Sequence, residues 1–109
     1  MSRARMKRAG LVIIWEFRIR PNQRMRFEKT YGARGAWTEF FRGGKGYLRT
    51  ELLRDLLDPQ RYCTLDFWNS SRGYESFRRR NFEEYKRIDQ KCEALTISEK
   101  LIGCFRLAK

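Results

Sequence analysis

Every odd position from Leu11 to Ile19 is apolar (Leu11, Ile13, Trp15, Phe17, Ile19), whereas the even positions pass from Val12 and Ile14 to Glu16, Arg18 and Arg20. Period-two alternation belongs to a strand, because successive side chains of an extended chain point to opposite faces. Three later stretches read the same way. Tyr47 to Asp55 alternates Leu48, Thr50 and Leu52 with Tyr47, Arg49 and Glu51. Arg61 to Trp68 sets Cys63, Leu65 and Phe67 against Tyr62, Thr64, Asp66 and Trp68. Glu99 to Leu107 places Leu101, Gly103, Phe105 and Leu107 on one side. A chain that writes this pattern four times is committed to a sheet.

Helical spacing fills the gaps. Pro21 and Asn22 end the first strand and start a helix that carries Phe27 and Tyr31 on one face and stops at Gly32, followed by a short piece from Gly35 to Phe41. Asn69, Ser70 or Ser71 can cap a second helix. Its Tyr74, Phe77, Tyr85, Ile88, Cys92 and Leu95 predict one long amphipathic element to about Leu95. The Gly43-Gly44-Lys45-Gly46 run lacks the GxxxxGK[ST] pattern and precedes a strand, so it reads as a turn and not as a phosphate loop.

The resulting order is strand, helix, strand, strand, helix, strand. That is the α+β, ferredoxin-like βαββαβ arrangement, a four-stranded antiparallel sheet with two helices on one face. Val12, Ile14, Leu48 and Leu52 leave apolar groups for both faces of the strands. An open apolar sheet face is normally covered, so a homodimer that joins sheet to sheet is expected. The 109 residues suffice for a single domain, read as 11–107 behind a basic tail at 1–10 that carries Arg3, Arg5, Lys7 and Arg8.

Composition excludes several chemistries. Histidine is absent, which removes His-ligated zinc or haem, a His-based triad and the imidazole acid/base. Cys63, Cys92 and Cys104 are an odd set without CxxC spacing, read as apolar fillers in a reducing, cytoplasmic setting; no metal site is expected. After Leu11 to Trp15 the apolar run is broken by Glu16, Arg18 and Arg20, which fits neither a signal peptide nor a membrane span. The net charge of +12 attracts anions. Arg61-Tyr62-Cys63-Thr64-Leu65-Asp66-Phe67-Trp68 nonetheless does not supply the aromatic pattern of an RNA-recognition strand, which argues against nucleic acid.

Several short pieces together resemble the antibiotic biosynthesis monooxygenase family of the dimeric α+β barrel group. They are Arg20-Pro21-Asn22, Phe27-Glu28, Gly46-Tyr47-Leu48, Asp58-Pro59 before Arg61-Tyr62, Trp68-Asn69-Ser70, Tyr74 and Phe77, and Ile102-Gly103-Cys104-Phe105. The resemblance spans about 11–107. It implies oxidation of a small aromatic or quinone-like compound by O2 without metal, flavin or other cofactor, in a cavity between sheet and helices. Such chemistry asks the protein to admit a planar apolar molecule, favour its anion and exclude water. Characterised members are similar at the strand-three Trp, here Trp68, and use an Asn four residues earlier, where this chain has Thr64. Haem-degrading relatives place a His on the second helix, where this chain offers Arg78, Arg79 or Asn81.

The residues themselves nominate Asp66, Thr64 and Trp68, aligned on one face of strand three, together with Tyr31, whose hydroxyl can donate to a developing oxyanion. Asp66 has two readings: a base whose proton affinity is raised beside the indole, or the partner of an arginine on a neighbouring element. Trp15, Phe27, Trp37, Phe41 and Phe77 are either ordinary core or a stacking surface for a flat ligand, and Arg78 either faces solvent or contacts an anionic group. A noncatalytic homodimeric binding domain using the same cavity, and a nucleic-acid-binding ferredoxin-like protein, are the competing functions.

Overall fold

A computed structural model describes residues 9–108. Its element order is β1 (Leu11–Ile19), α1 (Arg24–Tyr31), α2 (Ala36–Phe41), β2 (Tyr47–Arg54), β3 (Arg61–Trp68), α3 (Ser71–Arg80), α4 (Phe82–Cys92) and β4 (Thr96–Phe105). The strands form one antiparallel sheet in the order β2-β3-β1-β4, the ferredoxin-like topology expected from the pattern. Residues 1–8 of the expected basic tail lie outside the described residues. Ala9 is buried, and the Gly10 amide donates to the Trp68 carbonyl at 2.9 Å, which extends the β1–β3 pairing.

Register decides which side chains meet the helices. Leu11, Ile13, Trp15 and Phe17 oppose Trp68, Asp66, Thr64 and Tyr62, and this row of β1 and β3 faces the helical layer. Val12, Ile14, Leu65 and Phe67 occupy the opposite face, where Leu53 and Phe105 stay exposed. The core between sheet and helices is mostly aromatic: Phe27 stacks on Tyr31 with centroids 4.3 Å apart and meets Phe17 edge-on at 5.4 Å.

Three details differ from the sequence-based expectation. An irregularity between Tyr47 and Arg49 turns Tyr47 to the same face as Thr50, so the simple alternation of β2 fails at its start. Leu52 pairs with Thr64 and packs on the core while Val12 and Ile14 lie on the outer face, so these apolar residues are divided between the two faces. Strand β4 begins at Thr96 and ends at Phe105, and a shift opposite Ile14 and Trp15 puts Leu101 on the helix side while Gly103 and Phe105 fall on the outer side. An extra residue in one strand reverses the facing of everything beyond it.

The long second helix is in fact two. Asn81 leaves helical geometry (φ −118°, ψ 30°), and both its backbone amide and its side-chain Nδ2 donate to the Phe77 carbonyl, at 3.0 and 2.8 Å. A short amide side chain that bonds the preceding turn competes with helix propagation, so α3 ends there and α4 starts anew. Ser70 caps α3, its Oγ accepting from the Gly73 amide at 3.0 Å. Gly44 sits where a Cβ would come within 2.8 Å of the Trp68 ring; only glycine lets the turn before β2 lie flat on that indole.

Candidate functional site

A hollow lies between the middle of the sheet and the helices. Its floor is Trp15 and Phe17 of β1, Thr64 and Asp66 of β3, and Glu99 of β4. Tyr31 of α1, Trp37 and Phe41 of α2, Tyr74 of α3, and Tyr85 and Asp89 of α4 complete the lining, with Trp37 and Tyr85 edge to face at 5.2 Å. Counted out to its open mouth the hollow measures about 500 Å³, but only about 40 Å³ of that has the depth to hold water molecules. The chamber therefore exists and is narrow, so a planar aromatic guest enters it with side-chain movement.

Asp66 is the one carboxylate on the floor of β3, and it is only 8% exposed. Removal from water favours its neutral form and raises its pKa to about 6, against the lowering effect of a hydrogen bond from Thr50. Thr50 donates to Asp66 Oδ1 at 2.7 Å, and the Tyr47 hydroxyl lies 2.7 Å from Thr50 Oγ1. A hydroxyl has one proton to give, so Tyr47 donates to Thr50 while Thr50 donates to Asp66. The chain of donors leads from the floor of the hollow to half-buried Tyr47 at the start of edge strand β2. The arginine pairing considered for Asp66 does not form; among the described residues no salt bridge reaches it.

Of the residues nominated from sequence, Thr64, Asp66, Tyr31, Trp15, Trp37 and Phe41 come together on the lining. Trp68, Phe27 and Phe77 are instead packed behind it. Trp68 is 0% exposed, wedged against Tyr47, Phe41, Tyr74 and Phe77 with centroids 5.2–5.7 Å away, and its Nε1 is buried without an acceptor. Its register opposite Leu11 and Tyr47 carries it toward the turn at Gly44, beyond the hollow. Phe27 lies under Tyr31, and Arg78 sets its guanidinium 4.6 Å over the outer ring Tyr85.

Sequence reasoning passed over Phe17, Tyr74, Tyr85, Asp89 and Glu99 as lining residues. Tyr85 and Asp89 are four apart and share a helix face, which was a readable signal. Nothing local marked Glu99, since the irregularity of β4 decides its facing. Burial raises the Tyr31, Tyr74 and Tyr85 phenols, with Cys92 adding to the effect at Tyr31 and Tyr85 at Tyr74. Burial also raises Glu99, with the charge of Asp89 adding to it. The phenols accordingly stay protonated, and the Tyr31 hydroxyl lies beside the Cys92 thiol.

Comparison with known proteins adds the following. A family model described as antibiotic biosynthesis monooxygenase matches residues 10–90. A variant of SnoaB, a cofactor-independent oxygenase from Streptomyces nogalater, superimposes with TM-score 0.73 at 18% identity, over 91% of this chain and 93% of that one. A Pseudomonas aeruginosa protein gives 0.67 at 18% identity, over 95% and 99%. A conserved protein of Methanosarcina mazei gives 0.68 at 10%, over 92% and 94%. These likenesses establish the fold. A search of curated proteins finds no match. No helix among the described residues is long and apolar enough to cross a membrane.

Proposed function

The chain belongs to the antibiotic biosynthesis monooxygenase family, and from that premise we propose that it oxidises a small electron-rich aromatic of the hydroquinone or anthrone kind with O2 and no cofactor. The observation that carries the reading is Asp66: a carboxylate with a pKa near 6, buried among aromatic rings, with one oxygen held by Thr50 and the other without a hydrogen bond to any described residue.

In this reading the free oxygen of Asp66 takes a proton from the substrate. The enolate or phenolate left behind gives one electron to O2, and the radical pair recombines as a peroxide. For an anthrone the balance is anthrone plus O2 to anthraquinone plus water; the ring carbon is oxidised and O2 is reduced. The aromatic walls exclude water from the anion, and the Tyr31 phenol is a donor for developing negative charge on oxygen. The Tyr47 and Thr50 hydroxyls give the proton on Asp66 a way to the sheet edge. Trp68 acts from behind the wall by fixing Tyr74 and Phe41, 5.2 and 5.7 Å away. The outer sheet face, with Ile14, Leu65, Phe67 and Phe105, supports a homodimer joined through the sheets. Cys63, Cys92 and Cys104, all free, are in keeping with a cytoplasmic setting.

The experiment is O2 uptake by metal-free protein with an anthrone probe. Uptake is expected to rise with pH through about 6 as Asp66 ionises and to be lost in Asp66→Asn. Binding of the probe with no uptake would select the second reading, a binding protein. Thr64 favours that alternative, since it brings one hydroxyl to the lining in place of an amide's donor and acceptor.

A further inference from the structure

The charge of the hollow is opposite to that of the chain around it. Lys and Arg outnumber Asp and Glu by 25 to 13, yet among the described residues the charged groups on the lining are Asp66, Asp89 and Glu99, with no lysine or arginine. Elsewhere the abundant arginines find carboxylates: Arg61 binds Glu16 and Asp55, and Arg18 binds Asp58 at 2.7 Å. The three acids of the hollow take part in no ion pair among the described residues. Arg78 comes close, over the Tyr85 ring, without joining the lining.

Two further observations point to an occupant. Asp66 is more than nine-tenths buried and keeps one oxygen unpartnered on the floor of the hollow. Trp37, equally buried and also on the lining, has its Nε1 near Tyr31 and Cys92 but in good hydrogen-bond geometry with neither. The remaining walls are aromatic rings, whose faces attract organic cations, most strongly where water is excluded. Glu99 is exposed, Asp89 half-buried and Asp66 buried, so the three acids are graded from two solvent-reached carboxylates to a single inner one.

We propose that the hollow is selective for cationic aromatic amines, a phenol or catechol ring on a short ammonium-bearing arm, with the ring among the tyrosines and tryptophans and the ammonium at Asp89 and Glu99. The proposal rests on reading the hollow as the substrate site and names the substrate's charge. A ring hydroxyl placed in this way faces Asp66, the group that would take its proton. A carboxylate-bearing analogue meets three like charges on the lining, with Arg78 set over the Tyr85 ring as the cation near it among the described residues.

The test is calorimetric titration under anaerobic conditions with three catechols that differ in the arm: dopamine (ammonium), 4-methylcatechol (neutral) and 3,4-dihydroxyphenylacetate (carboxylate). Dopamine is expected to bind at least about tenfold more tightly than the carboxylate, a difference of about 1.4 kcal/mol. The preference should shrink severalfold with added salt and in Glu99→Gln and Asp89→Asn, whose side chains are reached by solvent and carry no packing of the core. Equal or tighter binding of the carboxylate, no binding of dopamine, or a preference indifferent to both salt and the two variants would overturn the proposal. Because O2 is absent, the outcome is separate from the oxidation reading. Charge-selective binding without later turnover defeats only the oxidation, and anthrone turnover without dopamine binding defeats only the charge assignment.

Discussion

Replacing Asp66 by Asn should make the protein more stable at neutral pH, and the size follows from its surroundings. The carboxyl titrates near 6 in the folded chain against 3.8 for the free group, because burial penalises its charge. One pKa unit corresponds to about 1.4 kcal/mol, so ionised Asp66 costs the fold up to about 3 kcal/mol. The sign is set by which state holds the proton. Below about pH 4 both states are protonated and there is no cost. Between about 4 and 6 the unfolded chain ionises first, and stability falls as pH rises. Above about 6 both are ionised and the cost is constant. Asn is neutral throughout and still offers an oxygen to the Thr50 hydroxyl. Urea denaturation followed by tryptophan fluorescence, at a series of pH values from about 4 to 8, gives the stability difference between variant and parent. Other titrating groups are common to both and cancel. The difference should rise by up to about 3 kcal/mol across the series. A difference that stays flat would mean that Asp66 titrates as a solvated carboxyl, and the argument for a dry base would fall with it.

Other consequences can be measured with the same denaturation assay. Thr50→Val removes the donor to Asp66 and orphans the Tyr47 hydroxyl; a loss of about 1–3 kcal/mol is expected, together with a pH profile of O2 uptake displaced to higher pH. Gly44→Ala presses a methyl group against the Trp68 ring, 2.8 Å away, and should cost about 1–3 kcal/mol, whereas an unchanged midpoint would show that the turn can move. Ser70→Ala leaves the Gly73 amide without its cap and should cost about 1 kcal/mol. Light scattering at micromolar concentration should report a dimer, and Leu65→Arg, on the outer face, should dissociate it; a parent protein that is monomeric would contradict the sheet-to-sheet contact.

The strands were legible because their facing is local: Tyr62, Thr64, Asp66 and Trp68 need only two-residue periodicity to reach the helix side, and they do so. Facing failed to be legible where pairing sets it. Leu101 and Phe105 look equivalent in sequence, and only the slip against Ile14 and Trp15 separates them. The join at Asn81 escaped notice because the apolar spacing continues across it, while the interruption comes from one side-chain amide bonding one carbonyl. Within the site, Trp37 and Phe27 carry the same aromatic signal. One reaches the lining and the other lies beneath Tyr31, a distinction made by stacking order and invisible in spacing. The spacing of Tyr85 and Asp89 shows that they share a helix face, but only the assembled walls show that this face meets the lining beside Glu99.

The parting of α3 from α4 has a bearing on how such a chamber can be remodelled. Tyr74 rides on the first segment and Tyr85 on the second. Two rings that would be geared together on a single rod are thus mounted on separate arms, and a substitution that tilts one arm leaves its neighbour's backbone in place. Widening the chamber for a bulkier guest then asks for the swing of one short segment about Asn81, with the sheet beneath undisturbed.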